Sequence, residues 1–295
     1  MVFAKDGLSA SKVLLWAVII GALPLIKGCN LTPTPAFFDQ LSYSEKTLDI
    51  STETDDARAT FWRTDGKEVF LIGRETNDVV SYTTNAPWQI ANAAHNKELD
   101  LSGEVGSTDQ DAVPHGLYFR EDGLKMWVFN RTEIWAYTLD SAWDISNAEN
   151  TGYADLSNEV VRGHDIDFRP DGKVLFLDDR EKGAVYAFRL EEPWQVEQPT
   201  LEATLDISHR QQAVRGLEIV SGGMAMLLMD TGRNQLLKYS LTSPYDIASA
   251  QFSESHDVAP QTMEGRGLSL SHQMDRFFIT ARDREEILKF EMVFD

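Results

Sequence analysis

The sequence predicts an all-β fold, a five-bladed β-propeller with four antiparallel strands in each blade, from three observations. The first is a tetrapeptide related to Leu-Asp-Ile-Ser, which recurs around Asp49, Asp100, Asp155, Asp206 and Asp257. The second is an aromatic residue at the end of an apolar run, which recurs in phase with it at Tyr82, Tyr137, Phe188, Tyr239 and Phe290. The third is a hairpin turn that precedes each of these aromatic residues. Repeats of about 40–50 residues with four strands each are typical of propeller blades.

Each repeat is predicted to contain four short strands, ordered from the channel outward. In the second repeat these strands cover residues 116–119, 125–129, 134–138 and 151–156. The turn between the first two strands is Asp-Gly at 65–66, 122–123 and 171–172, Gly-Gly at 222–223 and Gln-Met at 273–274. Glycine accepts a positive φ without steric cost, so Asp-Gly between β-rich runs indicates a tight hairpin.

The two ends of the chain predict how the ring closes. The fifth repeat stops at Asp295 after its third strand, and an unpartnered Leu-Asp-Ile-Ser lies at 48–51, before the first repeat. We therefore expect residues 43–50 to form the outer strand of the fifth blade. Closure of this kind removes the free sheet edges that favour aggregation.

An aromatic residue also recurs at the turn before the outermost strand, as Trp88, Trp143, Trp194 and Tyr245. A series of this kind resembles a sugar-stacking surface. Its presence in nearly every repeat instead favours a structural role, because each blade must pack against its neighbour. We expect these rings to lie between adjacent sheets.

The repeat over residues 115–146 runs from His-Gly-Leu-Tyr-Phe through Lys-Met-Trp-Val to Ala-Trp-Asp-Ile-Ser. This unit resembles the degenerate propeller repeats of exported bacterial and phage-encoded proteins, which are akin to lactonase-like and YVTN-type propellers. The resemblance covers residues 43–295 and implies the propeller fold. It implies no active site, because no motif here matches the metal or catalytic residues of those enzymes.

The first 28 residues have the order of a bacterial export signal. Lys5 and Lys12 precede an apolar run over residues 13–26, which is shorter than the roughly 20 residues that span a bilayer. Cys29, the only cysteine, follows in a position that resembles a lipoprotein processing site, although Lys27 is unusual there. An ordinary signal or an uncleaved anchor is the alternative. We expect residues 29–42 to form a tether and the protein to be secreted or held in the cell envelope, in the periplasm or on the outer surface.

The composition is strongly acidic. The chain has 27 Lys and Arg against 47 Asp and Glu, a formal net charge of −20. So negative an exterior repels nucleic acid and anionic membranes. We expect no nucleic-acid partner, membrane contact only through the N-terminal lipid or signal anchor, and a monomer.

Four basic residues at equivalent positions, each near the start of an innermost strand, are predicted to surround the channel mouth: His115, His164, Arg215 and Arg266. Arg58 lies near the corresponding place in the first repeat and is expected to join them. Guanidinium groups bind carboxylate or phosphate through paired hydrogen bonds, so an anion site is one interpretation. The other is that these residues pair with nearby acids such as Asp111, Asp165 and Glu264.

Indications of a metal site or of catalytic residues are weaker. Aspartates beside arginines in the loops between second and third strands are expected to cap their own turns. The acidic segments 52–56 and 108–111 contain oxygen ligands suited to calcium, but they lack the ligand spacing of a known calcium loop, so no cofactor is expected. The six histidines show no metal-ligand spacing, and no nucleophile elbow is present.

Three functions are consistent with these patterns. The sequence favours a non-enzymatic recognition module that binds a small anionic ligand, a glycan or a protein at its top face and central channel. The alternatives are an exported hydrolase or lactonase-like enzyme with its site at the channel mouth, and a structural component of a phage or surface assembly. Fold alone does not choose between them.

Overall fold

The computed structural model describes residues 36–54, 56–74, 76–103 and 113–293.

A 3-10 turn (Phe37–Gln40) leads into β1 (Leu41–Asp49). The first blade contains β2 (Ala57–Trp62), β3 (Glu68–Gly73), β4 (Asp78–Thr83) and β5 (Ala94–Asp100). The second contains β6 (Pro114–Phe119), β7 (Lys125–Asn130), β8 (Glu133–Thr138) and β9 (Glu149–Asp155). The third contains β10 (Gly163–Phe168), β11 (Val174–Asp179), β12 (Ala184–Arg189) and β13 (Thr200–Asp206). The fourth contains β14 (Val214–Val220), β15 (Ala225–Asp230), β16 (Gln235–Ser240) and β17 (Gln251–Asp257). The fifth contains β18 (Gly265–Leu270), β19 (Arg276–Ala281) and β20 (Glu286–Met292). Further 3-10 turns are Ile90–Asn92, Ile145–Asn147, Ser221–Gly223, Ile247–Ser249 and Arg282–Arg284.

The ring closes as the sequence predicts. The fifth sheet has the order β1-β20-β19-β18, and all of its neighbouring strands are antiparallel. Tyr43 lies opposite Phe290, and Leu48 lies opposite Ile287. The all-β, five-bladed propeller with an N-terminal closing strand is therefore confirmed.

The packed region begins further toward the N terminus than residue 43. β1 starts at Leu41, and Phe38 is buried against the core between the fourth and fifth blades. The backbone N–H of Phe38 donates to Glu254 Oε2 at 3.0 Å, and Lys238 Nζ lies 4.4 Å from the centre of the Phe37 ring. The two phenylalanines thus attach this segment to the propeller. Cys29 and the signal over residues 1–28 lie outside the described residues.

The recurring aspartate has a structural role in every blade. Its carboxylate accepts the backbone N–H two residues further on, as Asp206 does from Ser208 at 2.9 Å. The aliphatic residue between them is buried, and the N–H of Ile207 donates to the Gly183 carbonyl at 2.8 Å. The motif therefore ends the outermost strand and ties it to the loop between the second and third strands of the same blade.

The recurring turn aromatics pack between blades. Trp143 has a positive φ of 66° and covers Gly123, where an added Cβ would lie 2.5 Å from the indole ring. The same ring stacks on Phe70 of the first blade, with ring centroids 6.0 Å apart. The five hydrophobic clusters all lie between sheets in this way. In the part of the chain that the structure describes, no helix is long and apolar enough to span a membrane.

Candidate functional site

The five predicted basic residues meet at one cavity. They are the second residues of the five innermost strands: Arg58 of β2, His115 of β6, His164 of β10, Arg215 of β14 and Arg266 of β18. Each innermost strand contacts the innermost strands of the two neighbouring blades. Equivalent positions on these strands therefore converge around the axis of the ring.

A β-bulge directs these side chains away from the ladder. The pairing of each innermost strand with the next strand shifts register around the basic residue, between Pro114 and Gly116 in the second blade and between Val214 and Gly216 in the fourth. The same shift occurs in the other three blades. A bulge changes the direction in which the side chain of its extra residue points. The bulge recurs in every blade, so every blade places one side chain toward the channel.

The cavity between the five side chains is small. Its volume is about 10 Å³. A single water molecule needs a cavity of roughly 10–15 Å³. One water molecule or one oxygen atom of a larger anion is therefore the largest group that enters without movement of the side chains.

The arginines contributed by the first and fifth blades are paired with carboxylates. Asp56, which is 1% exposed, lies 2.6 Å from Arg58 Nη2, 3.6 Å from Arg74 Nη1 and 3.1 Å from Arg282 Nε. Glu264 Oε2 lies 3.1 Å from Arg266 Nη2 and 2.9 Å from Arg282 Nη1. For Arg58 and Arg266, the prediction of pairing with nearby acids is thus correct, although Asp56 was not among the predicted partners.

Asp165, another of the predicted acidic partners, does not pair in this way. Both oxygens of Asp165 accept backbone N–H groups, from Ile166 at 3.0 Å and from Leu217 at 2.9 Å. Leu217 belongs to the next innermost strand, so Asp165 bridges two blades. Asp111 lies outside the described residues.

Arg215 differs from the other two arginines of the ring. Its Nε and Nη1 are buried and have no hydrogen-bond partner among the described residues, and none of the ion pairs there includes it. Burial, with the nearby positive charges of Arg180 and Arg58, lowers the pKa of Arg215 to about 9. The side chain therefore remains protonated at neutral pH, and its charge has no partner within the described residues.

The two histidines are buried and in contact. Their ring centroids are 4.5 Å apart, and their exposed fractions are 3% for His115 and 5% for His164. Burial lowers the pKa of both rings well below the ordinary value, and the positive charge of Arg58 adds to the effect. Both imidazoles are therefore neutral at neutral pH. His115 Nδ1 hydrogen-bonds to the Val113 carbonyl at 2.6 Å, whereas neither nitrogen of His164 has a partner among the described residues.

The third blade contains buried acids that the sequence analysis did not single out. Asp178 Oδ1 accepts the backbone N–H of His164 at 2.6 Å, and Asp167 Oδ2 accepts that of Ile219 at 2.7 Å. Burial raises the pKa of Asp178 and of Asp167 to about 7 each. The available signal was the polar sequence His-Asp-Ile-Asp at 164–167, where the other innermost strands are largely apolar. Because these carboxyl oxygens accept backbone N–H groups, we assign the acids a structural role.

The loop aspartates cap turns as expected. Asp179 accepts the backbone N–H of Glu181 at 2.9 Å, and Asp230 accepts that of Gly232 at 3.1 Å. The same two carboxylates also accept N–H groups of the connections between blades, from Val161 at 2.8 Å and Ala213 at 2.9 Å. Within the described ranges, no group of three or more His, Cys, Asp or Glu side chains is arranged to hold a metal. Of the two acidic segments considered for calcium, residues 55 and 108–111 lie outside those ranges.

Comparisons with known proteins found only weak structural similarities. No protein-family model and no curated protein matches the chain. Among solved structures, a functionally unknown protein from Desulfotomaculum acetoxidans is 10% identical at a TM-score of 0.46, with 76% of this chain and 62% of that chain covered. The periplasmic gluconolactonase PpgL of Pseudomonas aeruginosa is 14% identical at a TM-score of 0.46, with coverages of 79% and 65%. The Cps50 (Swd1) β-propeller domain of Myceliophteria thermophila is 8% identical at 0.45, with coverages of 81% and 70%. This chain thus spans less than two thirds of the length of the first two proteins. These similarities assign it no activity.

Proposed function

We propose that this propeller is an exported recognition module that binds the anionic group of its ligand at the mouth of the central channel. The observation that carries the proposal is Arg215, whose guanidinium is protonated and partly buried without a carboxylate partner in the described chain. Leaving a charge unpaired away from water costs free energy. A bound carboxylate or phosphate oxygen would remove that cost.

The charges of the neighbouring loops also favour an anion site at the channel mouth. Four arginines directly follow the second strands of their blades: Arg74, Arg131, Arg180 and Arg282. Asp56 and Glu264 offset much of the positive charge beside the first and fifth blades. Beside the third and fourth blades, Arg215 has no ion-pair partner among the described residues, and Arg180 adds a second positive charge near it. A local positive potential of this kind concentrates anions even though the whole protein repels them.

The size of the cavity limits how the ligand binds. One oxygen atom of the anionic group occupies the cavity, and the remainder of the ligand lies outside it against the loops of the top face. This arrangement suits a carboxylate or phosphate group carried by a small molecule, a glycan or a protein. Export and attachment through Cys29 are part of the proposal and rest on the N-terminal sequence pattern alone.

The test is calorimetric titration of the protein with inorganic phosphate at low ionic strength. We expect binding to wild type, and at least a tenfold weaker affinity for Arg215→Met, because the unpaired guanidinium contributes a charged hydrogen bond. The melting temperature of Arg215→Met should stay the same or rise, since a buried unpaired charge is removed. Arg169→Met, which alters a surface ion pair with Asp171, is the control and should bind like wild type.

Two results would contradict the proposal. One is the absence of phosphate binding to wild type. The other is a large drop in the melting temperature of Arg215→Met with affinity unchanged, which would make Arg215 a structural residue.

A further inference from the structure

We propose that the channel-mouth site selects an oxyanion that carries a proton, of the hydrogen phosphate class, over one that carries none, and that His115 Nε2 accepts that proton. This inference rests on the proposed function, because it concerns the same anion site. It adds a chemical class of ligand and a residue that determines specificity.

The tautomer of His115 follows from its hydrogen bond. A backbone carbonyl can only accept, so the Nδ1 that lies 2.6 Å from the Val113 oxygen must carry the hydrogen. A neutral imidazole has one N–H group. Nε2 therefore presents a lone pair and acts as an acceptor. The ring stays neutral because burial and the charge of Arg58 lower its pKa.

His115 Nε2 is free to accept from a ligand. The ring lines the cavity, and no donor among the described residues hydrogen-bonds to this nitrogen. The neighbouring donors are in excess, because Nε of Arg58, of Arg215 and of Arg266 are all buried without a hydrogen-bond partner in the described chain. The site thus combines several cationic donors with a neutral acceptor.

This combination discriminates between tetrahedral anions of the same size. An unprotonated oxyanion such as sulfate satisfies the donors but places an oxygen lone pair against that of His115. The hydroxyl oxygen of a hydrogen phosphate can accept from the guanidinium groups through its lone pairs and donate its O–H to Nε2. The cavity has room for one such oxygen. Enclosing this acceptor under a bound anion that offers it no donor should weaken sulfate binding by roughly 10- to 100-fold relative to phosphate.

The experiment compares phosphate with sulfate by calorimetry at pH 7 and matched ionic strength. We expect wild type to bind phosphate at least tenfold more tightly than sulfate. His115→Phe should lose this preference by weakening phosphate binding, whereas His272→Phe, at an exposed hairpin position, should retain it.

Nitrogen NMR of wild type provides a readout that does not depend on how the variants fold. We expect His115 to be the Nδ1–H tautomer and its Nε2 resonance to move on addition of phosphate but not of sulfate. Equal affinity for the two anions, or an Nε2–H tautomer, would overturn the selection by His115 and leave anion binding intact. If neither anion binds to wild type, the proposed function fails as well.

Discussion

Replacing Asp178 with asparagine should stabilise the protein at pH 8, by an amount that shrinks steadily toward pH 4. Asp178 is fully buried. Its Oδ1 accepts the backbone N–H groups of His164 and Asp165 at 2.6 and 2.9 Å, and its Oδ2 has no hydrogen-bond partner among the described residues. Asparagine has the same shape, keeps the acceptor oxygen and carries no charge.

The magnitude follows from the shift of the Asp178 pKa from 3.8 to about 7, which burial causes. Between these pH values the folded chain binds a proton that the unfolded chain releases, so the free energy of unfolding falls as the pH rises. At roughly 1.4 kcal/mol for each pKa unit, the loss reaches about 4 kcal/mol above pH 7. The asparagine variant does not titrate at this position and should avoid that loss.

Urea unfolding followed by tryptophan fluorescence at pH 4.5, 6 and 8 measures the difference. The control is Asp206→Asn, because the Ser208 hydroxyl and backbone N–H lower the pKa of the exposed Asp206. The sign is then reversed: the Asp206 carboxylate stabilises the fold above its unfolded-state pKa, and asparagine should lose some stability at pH 8 but little at low pH. If Asp178→Asn destabilises the protein more at pH 8 than at pH 4.5, the pKa of Asp178 is not raised by folding and the reasoning from burial is wrong.

Two further predictions concern the construction of the ring. Deletion through residue 35 should leave the melting temperature nearly unchanged. Deletion through residue 51 removes β1 and exposes the edge of β20, so it should cause unfolding or aggregation, as measured by circular dichroism and gel filtration. A stable monomer after the longer deletion would contradict the closure of the ring by β1. Trp143→Ala should lower the free energy of unfolding by about 3–5 kcal/mol in urea titrations, because its ring packs on Phe61, Phe70 and Phe119. The exposed Val161→Ala is the control, and a loss below about 1 kcal/mol for Trp143→Ala would show that the ring is not a core residue.

The number of blades and the closure of the ring were predictable because the signals repeat in phase. The recurring aspartate ends the outermost strand, the aromatic residue ends the third strand, and each forms its contacts within its own blade or with the next one. The unpartnered copy at Asp49 identified the closing strand for the same reason. The contacts of the segment before β1 were less predictable, because the burial of Phe38 depends on Glu254 and on core residues of the fourth and fifth blades, far along the chain.

The repeat pattern identified the five side chains that surround the channel mouth, since equivalent positions of successive blades are related by the rotation of the ring. Which of their charges are compensated became visible only in the folded protein. Asp56 forms an ion pair with Arg282 across the closure of the ring, and Glu264 forms one with Arg266, whereas no described carboxylate forms an ion pair with Arg215. Periodicity specifies the position of a residue within its blade. The electrostatic environment of that residue depends instead on distances between different blades, and these distances exist only once the ring has closed.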